Sequence, residues 1–114
     1  MPKGDHLAEF EVYVMLAIAQ IGDGEAYGVT IRQEIQTRTA RPVSIGAVYA
    51  TLGRLSDKGF VSFAISDPDP VRGGRARKLV ALTKLGHRAL AHSVTSFARM
   101  AEGLSLVPAP GGRR

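Results

Sequence analysis

The sequence predicts a mainly α-helical fold with a small β-hairpin. Three observations predict it. Four stretches carry apolar residues at helical spacing, two short β-forming runs lie between the third and fourth, and glycine, proline or a small polar residue marks the junctions. A chain of 114 residues, 45% of them hydrophobic, suits one domain and can bury a real core.

Residues 7–21 are the first expected helix, with Leu7, Phe10, Val14, Ile18 and Ile21 at helical spacing. Val12, Tyr13, Met15 and Leu16 widen the apolar surface beyond one stripe, so one side of this helix is expected to meet a partner chain. Gly22-Asp23-Gly24 ends it. Residues 26–38 are the second helix, with Tyr27, Ile31 and Ile35 on one face. Residues 39–43 form a turn, in which Pro42 biases Arg41 to an extended conformation. Ser44 suits the N-cap of a third helix, 45–58. Its Ile45, Val48, Leu52 and Leu55 are expected to face the core. The opposite face carries Gly46, Ala47, Ala50 and Arg54, small and nearly flat with one long cation. Gly59 stops the helix.

Residues 60–66 suit a strand, since Phe60, Val61, Phe63 and Ile65 are good β-formers. Residues 67–76 hold two prolines and two glycines and read as a loop, and 77–82 as the return strand. Thr83 caps a last helix of about two dozen residues at most. Its stripe of Leu90, Val94, Phe97, Ala101 and Leu104 needs a surface to bury against, and a second copy of the chain is the simplest one. Residues 107–114 are expected to be a disordered tail.

Charge is placed unevenly. Residues 1–71 carry 6 basic and 9 acidic side chains, while 72–114 carry 9 basic and 1 acidic. Four cations (Arg72, Arg75, Arg77 and Lys78) fall within seven residues at the hairpin. That concentration is what a polyanion-binding surface needs. Of the 15 basic residues 11 are arginine, whose planar fork suits phosphates and guanine edges.

Helix, helix, turn, helix, hairpin is the order of a winged helix-turn-helix. Residues 1–82 then form the DNA-binding domain, with a recognition helix at 44–58 and a wing at 60–82. Residues 83–106 form a C-terminal dimerisation helix. A helix fits the major groove of B-form DNA if its outward face lets the backbone come close, as Gly46, Ala47 and Ala50 would allow. Ser44 and the helix N-terminus offer a hydroxyl and amides to a phosphate. Tyr49 adds a hydroxyl and Arg54 a cation. The wing tip, Arg72-Gly73-Gly74-Arg75, suits a narrow groove of negative potential. Arg77 and Lys78 alternate along the strand, so they are expected to point to opposite faces.

The run Ser44-Ile-Gly-Ala-Val-Tyr49, followed by Leu52, Arg54-Leu55 and Lys58-Gly59, resembles the PadR family around its recognition helix. Tyr27-Gly28 with Ile31 and Glu34-Ile35 resembles that family's second-helix opening. Gly73-Gly74-Arg75-Ala76-Arg77-Lys78, then Leu82-Thr83 and Gly86, resembles its wing and exit. The matches keep order and spacing from about residue 10 to residue 90. The resemblance implies a cytoplasmic, homodimeric transcriptional regulator, most often a repressor, on a palindromic operator. It also implies release by a small molecule in some members, and it places Tyr49 against a phosphate; Tyr27, at the start of the second helix, is expected either against DNA or in simple packing. Ala47 stands where threonine is usual, Ala50 where proline is common and Gly53 where a polar residue is common. Gly53 weakens a helix by about 1 kcal/mol relative to alanine.

Other functions find little support. There is no cysteine, hence no disulfide or thiolate site. His87 and His92 are five apart, off the spacing of a helical metal pair, and no phosphate loop, nucleophile elbow or carboxylate pair occurs. No enzyme, metal or cofactor is expected, and no membrane segment. Phe10, Tyr13 and Val14 are expected at the dimer interface with the last helix. The rival readings are a winged-helix protein-interaction adaptor and a non-specific architectural DNA binder.

Overall fold

The computed structural model describes residues 7–66 and 77–106. The expected tail at 107–114 and the loop at 67–76 lie outside them. Four helices and one hairpin follow in the order α1 (Glu9–Ile21), α2 (Gly28–Thr39), α3 (Ile45–Asp57), β1 (Val61–Ile65), β2 (Lys78–Leu82) and α4 (Lys84–Ala101). The fold is mainly α with a two-stranded antiparallel sheet, as expected.

α1 begins two residues later than its apolar periodicity suggests. The Ala8 amide donates to Glu11 Oε1 at 2.8 Å, half of a capping box, which sets the helix start at Glu9. Leu7 and Val12, which bracket that first turn, are both buried. α2 likewise starts late, at Gly28, because the residues before it serve the sheet: the Val80 amide of β2 donates to the Ala26 carbonyl at 2.9 Å, and Ala26 is fully buried. Ser44 caps α3 as expected, accepting from the Ala47 amide at 3.1 Å. Thr83 caps α4, accepting from the Gly86 amide at 3.0 Å.

The core is built from Val14, Met15, Ile18, Ile31, Ile35, Val48, Leu52, Leu55, Phe60 and Val80. α1 runs through its middle and packs on α2, α3, β2 and α4. This corrects one sequence expectation. Val12 and Met15 widen α1's apolar surface because they are buried within the same chain, whereas Tyr13 is half-buried and Leu16 is exposed. Val14 is fully buried in the protomer and Leu90 nearly so, so neither offers surface to a partner. Ile45, expected in the core, is 38% exposed at the first turn of α3, ahead of the point where α1 and α2 cover the helix. α4 ends at Ala101, short of residue 106: Glu102 leaves helical geometry and Gly103 turns the chain with φ 87°. A carboxylate opposes the negative end of the helix dipole there, and glycine readily takes positive φ.

The hairpin pairs Val61 with Leu82, Phe63 with Val80 and Ile65 with Lys78. Its base is tied to α4. The Thr83 amide donates to the Phe60 carbonyl at 3.0 Å and the Thr83 hydroxyl to the Gly59 carbonyl at 2.7 Å. A Cβ at Gly86 would lie 2.1 Å from the Phe60 carbonyl oxygen. That oxygen is backbone and already hydrogen-bonded, so it cannot step aside as a side-chain tip can. Gly86→Ala is therefore expected to destabilise the chain by at least the ~1–3 kcal/mol typical of overpacking, read as a lowered melting temperature.

Among the described residues one charged group, Glu11, lies in this core. Glu11 is 3% exposed and accepts from Lys58 Nζ at 3.0 and 3.1 Å, with Arg54 Nε at 3.7 Å. Burial pushes its carboxyl pKa up, but the Ala8 amide and the two cations outweigh that and leave it below its ordinary 4.5. The folded state thus holds the proton less readily than the unfolded chain. The contribution is complete above the ordinary value and is lost as pH falls through the lowered one. Between about pH 6 and pH 3 the urea midpoint is expected to fall, and to fall less in Glu11→Gln.

Candidate nucleic-acid interface

α3 has two unlike sides. Val48, Thr51, Leu52 and Leu55 are buried. Opposite them, at i, i+4, i+7 and i+11, lie Gly46, Ala50, Gly53 and Asp57, all exposed. Ser44, Ala47, Tyr49 and Arg54 are exposed on the flanks of that stripe. The sequence-predicted residues of this helix therefore share one continuous solvent-facing surface. Gly53, which sequence reasoning leaves without a role, lies at its centre. A Cβ at Gly46 or Gly53 would meet nothing within 4 Å. Packing among the described residues gives no reason for glycine at either site.

On one flank Tyr49 leans onto the start of α2. A Cβ at Gly28 would fall 2.5 Å from the Tyr49 hydroxyl, so the phenol rests on the bare backbone of the first helical residue. Tyr49 remains 53% exposed. Sequence alone marks Gly28 only as part of a motif; its role comes from a contact 21 positions along the chain, which no local pattern reports. Beside it the Arg77 guanidinium lies 5.0 Å from the centre of the Tyr27 ring. Tyr27 is half-buried and forms the N-terminal boundary of α2.

The hairpin supplies the other wall. Lys78 Nζ sits 4.4 Å from the centre of the Phe63 ring. Both residues line a cleft between α3 and the wing with Tyr49, Gly53, Ser56 and Asp57. Arg77 and Lys78 thus reach different aromatic rings, as the alternation of strand side chains requires. Arg72, Gly73, Gly74 and Arg75 lie outside the described residues.

The other flank carries Arg54, whose Nη2 donates to Thr51 Oγ1 at 3.0 Å while its Nε faces Glu11. Glu11 is the residue sequence reasoning missed. A capping-box spacing announces its helix end but not its reach across to α3.

The residues expected at a dimer interface divide. Phe10, Tyr13 and Ala101 are half-buried, and Tyr13 lines a groove between α1 and α2 with Arg41 stacked 5.3 Å from its ring centre. Val94, Phe97 and Leu104 are exposed, and Leu85, Met100 and Leu106 add to that apolar surface. Among the described residues no group of three or more His, Cys, Asp or Glu could hold a metal ion, and no helix is long and apolar enough to cross a membrane.

The family model for the transcriptional regulator PadR-like family matches residues 15–92. The chain belongs to the PadR-like family. It is accordingly a DNA-binding transcriptional regulator and not an enzyme. Its fold is similar to solved members. A PadR-like transcription factor from Bacteroides fragilis is 25% identical over 82% of this chain and 84% of that one, with a TM-score of 0.66. A PadR family regulator from Clostridium difficile is 18% identical over 83% and 93% of the two chains, with a TM-score of 0.71. A PadR-like regulator from Bacillus cereus is 21% identical over 81% and 84%, with a TM-score of 0.66. Among curated proteins none matches.

The Gly28–Tyr49 contact yields a prediction. Tyr49 is exposed enough to swing away, so Gly28→Ala is expected to keep the fold and its far-ultraviolet circular dichroism. Losing one hydrogen bond to a charged group costs about 1.5–3 kcal/mol. If Tyr49 donates to a phosphate, DNA affinity should fall by roughly ten- to a hundredfold, and by the same amount in Tyr49→Ala.

Proposed function

We propose that this PadR-family regulator acts as a homodimeric repressor that seats α3 in the major groove of a palindromic operator. The observation that carries the reading is the bare stripe of Gly46, Ala50 and Gly53 on an otherwise well-packed helix. Gly53, interior to α3, weakens the helix by about 1 kcal/mol relative to alanine, and no described residue would meet a Cβ there or at Gly46 in the first turn. A cost with no compensation among those residues points to a surface that fits against α3 from outside. A groove floor is such a surface, and Ala47 and Ala50 would meet thymine methyls there.

The flanks then hold the DNA backbone. Ser44 and the start of α3 face one phosphate. Tyr49 and Arg77, on the wing side, face the next strand segment, with Tyr27 as the ring that holds Arg77. Arg54 serves the far flank, and Lys78 and the tip residues Arg72, Gly73, Gly74 and Arg75 carry the wing into the flanking groove. Asp57 closes the stripe with a negative charge and marks the end of α3 that stays clear of phosphates. Val94, Phe97, Ala101 and Leu104 supply the partner surface, with Met100 beside them and Phe10 and Tyr13 at its α1 edge. Dimerisation puts two copies of α3 about 10 base pairs apart. A small molecule that shifts the α4 pair would change that spacing, and release by such an effector is part of this reading. A cytoplasmic location follows from the same role.

Selection of preferred duplexes from a random pool by the purified protein tests the proposal. A palindromic consensus is the expected result. With roughly 6–10 phosphate contacts, affinity should fall by about 10³–10⁵ between 50 and 200 mM salt. A pool that yields no consensus would identify a non-specific binder, and a flat salt response would remove the electrostatic part.

Gly53→Ala separates folding from binding. It is expected to raise the melting temperature, because the helix gains about 1 kcal/mol. It should also weaken DNA binding roughly tenfold, because the new methyl meets the groove. A more stable variant that binds DNA unchanged would show that this stripe does not face the groove.

A further inference from the structure

Arg54 is an exposed side chain, 57% accessible, yet it is held on two sides: Nε lies 3.7 Å from Glu11 Oε2 and Nη2 donates to Thr51 Oγ1 at 3.0 Å. The Glu11 carboxylate does not need Arg54 to be satisfied. It already accepts from the Ala8 amide and, through both oxygens, from Lys58. An ion pair to so exposed a cation adds little to stability. What it does is fix where the guanidinium points.

We infer that Glu11 is a positioning residue for sequence discrimination: from α1 it pre-sets the Arg54 guanidinium beside the bare stripe of α3, so that Arg54 meets one DNA geometry rather than many. The inference rests on the reading that α3 enters the groove. A free arginine loses rotamer freedom when it docks on DNA, and a pre-set one has lost it already. That advantage exists only on a duplex whose contact lies where the guanidinium is held. On other duplexes the tether is a handicap, and the Glu11 charge opposes the phosphates.

This gives a sign that bulk electrostatics does not. Removing a negative charge near DNA should strengthen binding to every sequence. Removing a positioning group should weaken binding to the preferred sequence while leaving unrelated sequences unchanged or improved. The two effects are read separately as the ratio of affinities for a preferred and an unrelated duplex of equal length.

The experiment uses the full chain, a duplex selected from a random pool by the wild-type protein, and an unrelated duplex. Glu11→Gln keeps the shape and removes the charge. Glu11→Asp keeps the charge and shortens the reach. Both are expected to lower the ratio by roughly tenfold, the scale of one well-placed base contact, and Arg54→Ala should do the same. In an Arg54→Ala background neither change at Glu11 should lower the ratio further. Thr51→Val cuts the second tether while nearly keeping the side-chain volume, so it tests the pre-setting of Arg54 on which the inference depends even if the Glu11 variants fail to fold; a reduced ratio is expected there too, and an unchanged one overturns the inference. A ratio unchanged in the folded variants overturns the inference and leaves groove binding intact. So does a loss of equal size with and without Arg54. If the wild-type protein selects no preferred duplex, operator recognition itself fails and this inference fails with it.

Discussion

Helix α3 must bury one side deeply and leave the other bare, and the rest of the structure is arranged around that division. Val48, Thr51, Leu52 and Leu55 supply the buried side, against which α1, α2 and β1 pack. Leu55 also accepts the Phe60 amide through its carbonyl at 2.9 Å, which starts the hairpin from the end of the helix. The hairpin base is then locked to α4 through Thr83, so one buried helix face sets the place of the wing and of the last helix together. The opposite side meets no described side chain at Gly46 and Gly53. Such a helix is held firmly from behind, which is what a surface needs if it is to fit another by shape.

Charge and shape are divided between elements. α3 has one cation, Arg54, whereas the hairpin brings Arg77 and Lys78 against aromatic rings. Arginine or lysine over a ring is worth about 0.5–1 kcal/mol when exposed, too little to sequester the cation from a phosphate but enough to favour one orientation. Arg54, Arg77 and Lys78 are thus all oriented before any ligand arrives. Glu11 is a buried acid behind this surface, and it is tolerated because it is hydrogen-bonded and faced by two cations.

Much of this is legible in the chain. Element order follows from periodicity and from Ser44, Gly59 and Thr83 at the junctions. The exposed residues of α3 follow from the helical repeat once Val48, Leu52 and Leu55 are placed inside. What escapes depends on tertiary contact. The broad apolar surface of α1 reads as a partner-facing side because a sequence does not say how many neighbours a helix has; Val12, Val14 and Met15 are in fact covered by the same chain. The role of Gly28 depends on a phenol from another helix, and that of Glu11 on cations 43 and 47 positions away. Periodicity carries α4 too far because Leu104 fits the stripe, while Glu102 and Gly103 end the helix through dipole and backbone geometry.

The proposed dimer sets α3 into the major groove twice, one helical turn apart. Methylation interference tests it most directly, because dimethyl sulfate marks guanine N7 in the major groove and adenine N3 in the minor groove. Interference is expected at major-groove guanines in two clusters about 10 base pairs apart, with minor-groove interference confined to their flanks. Interference only in the minor groove, or evenly along the duplex, would contradict it.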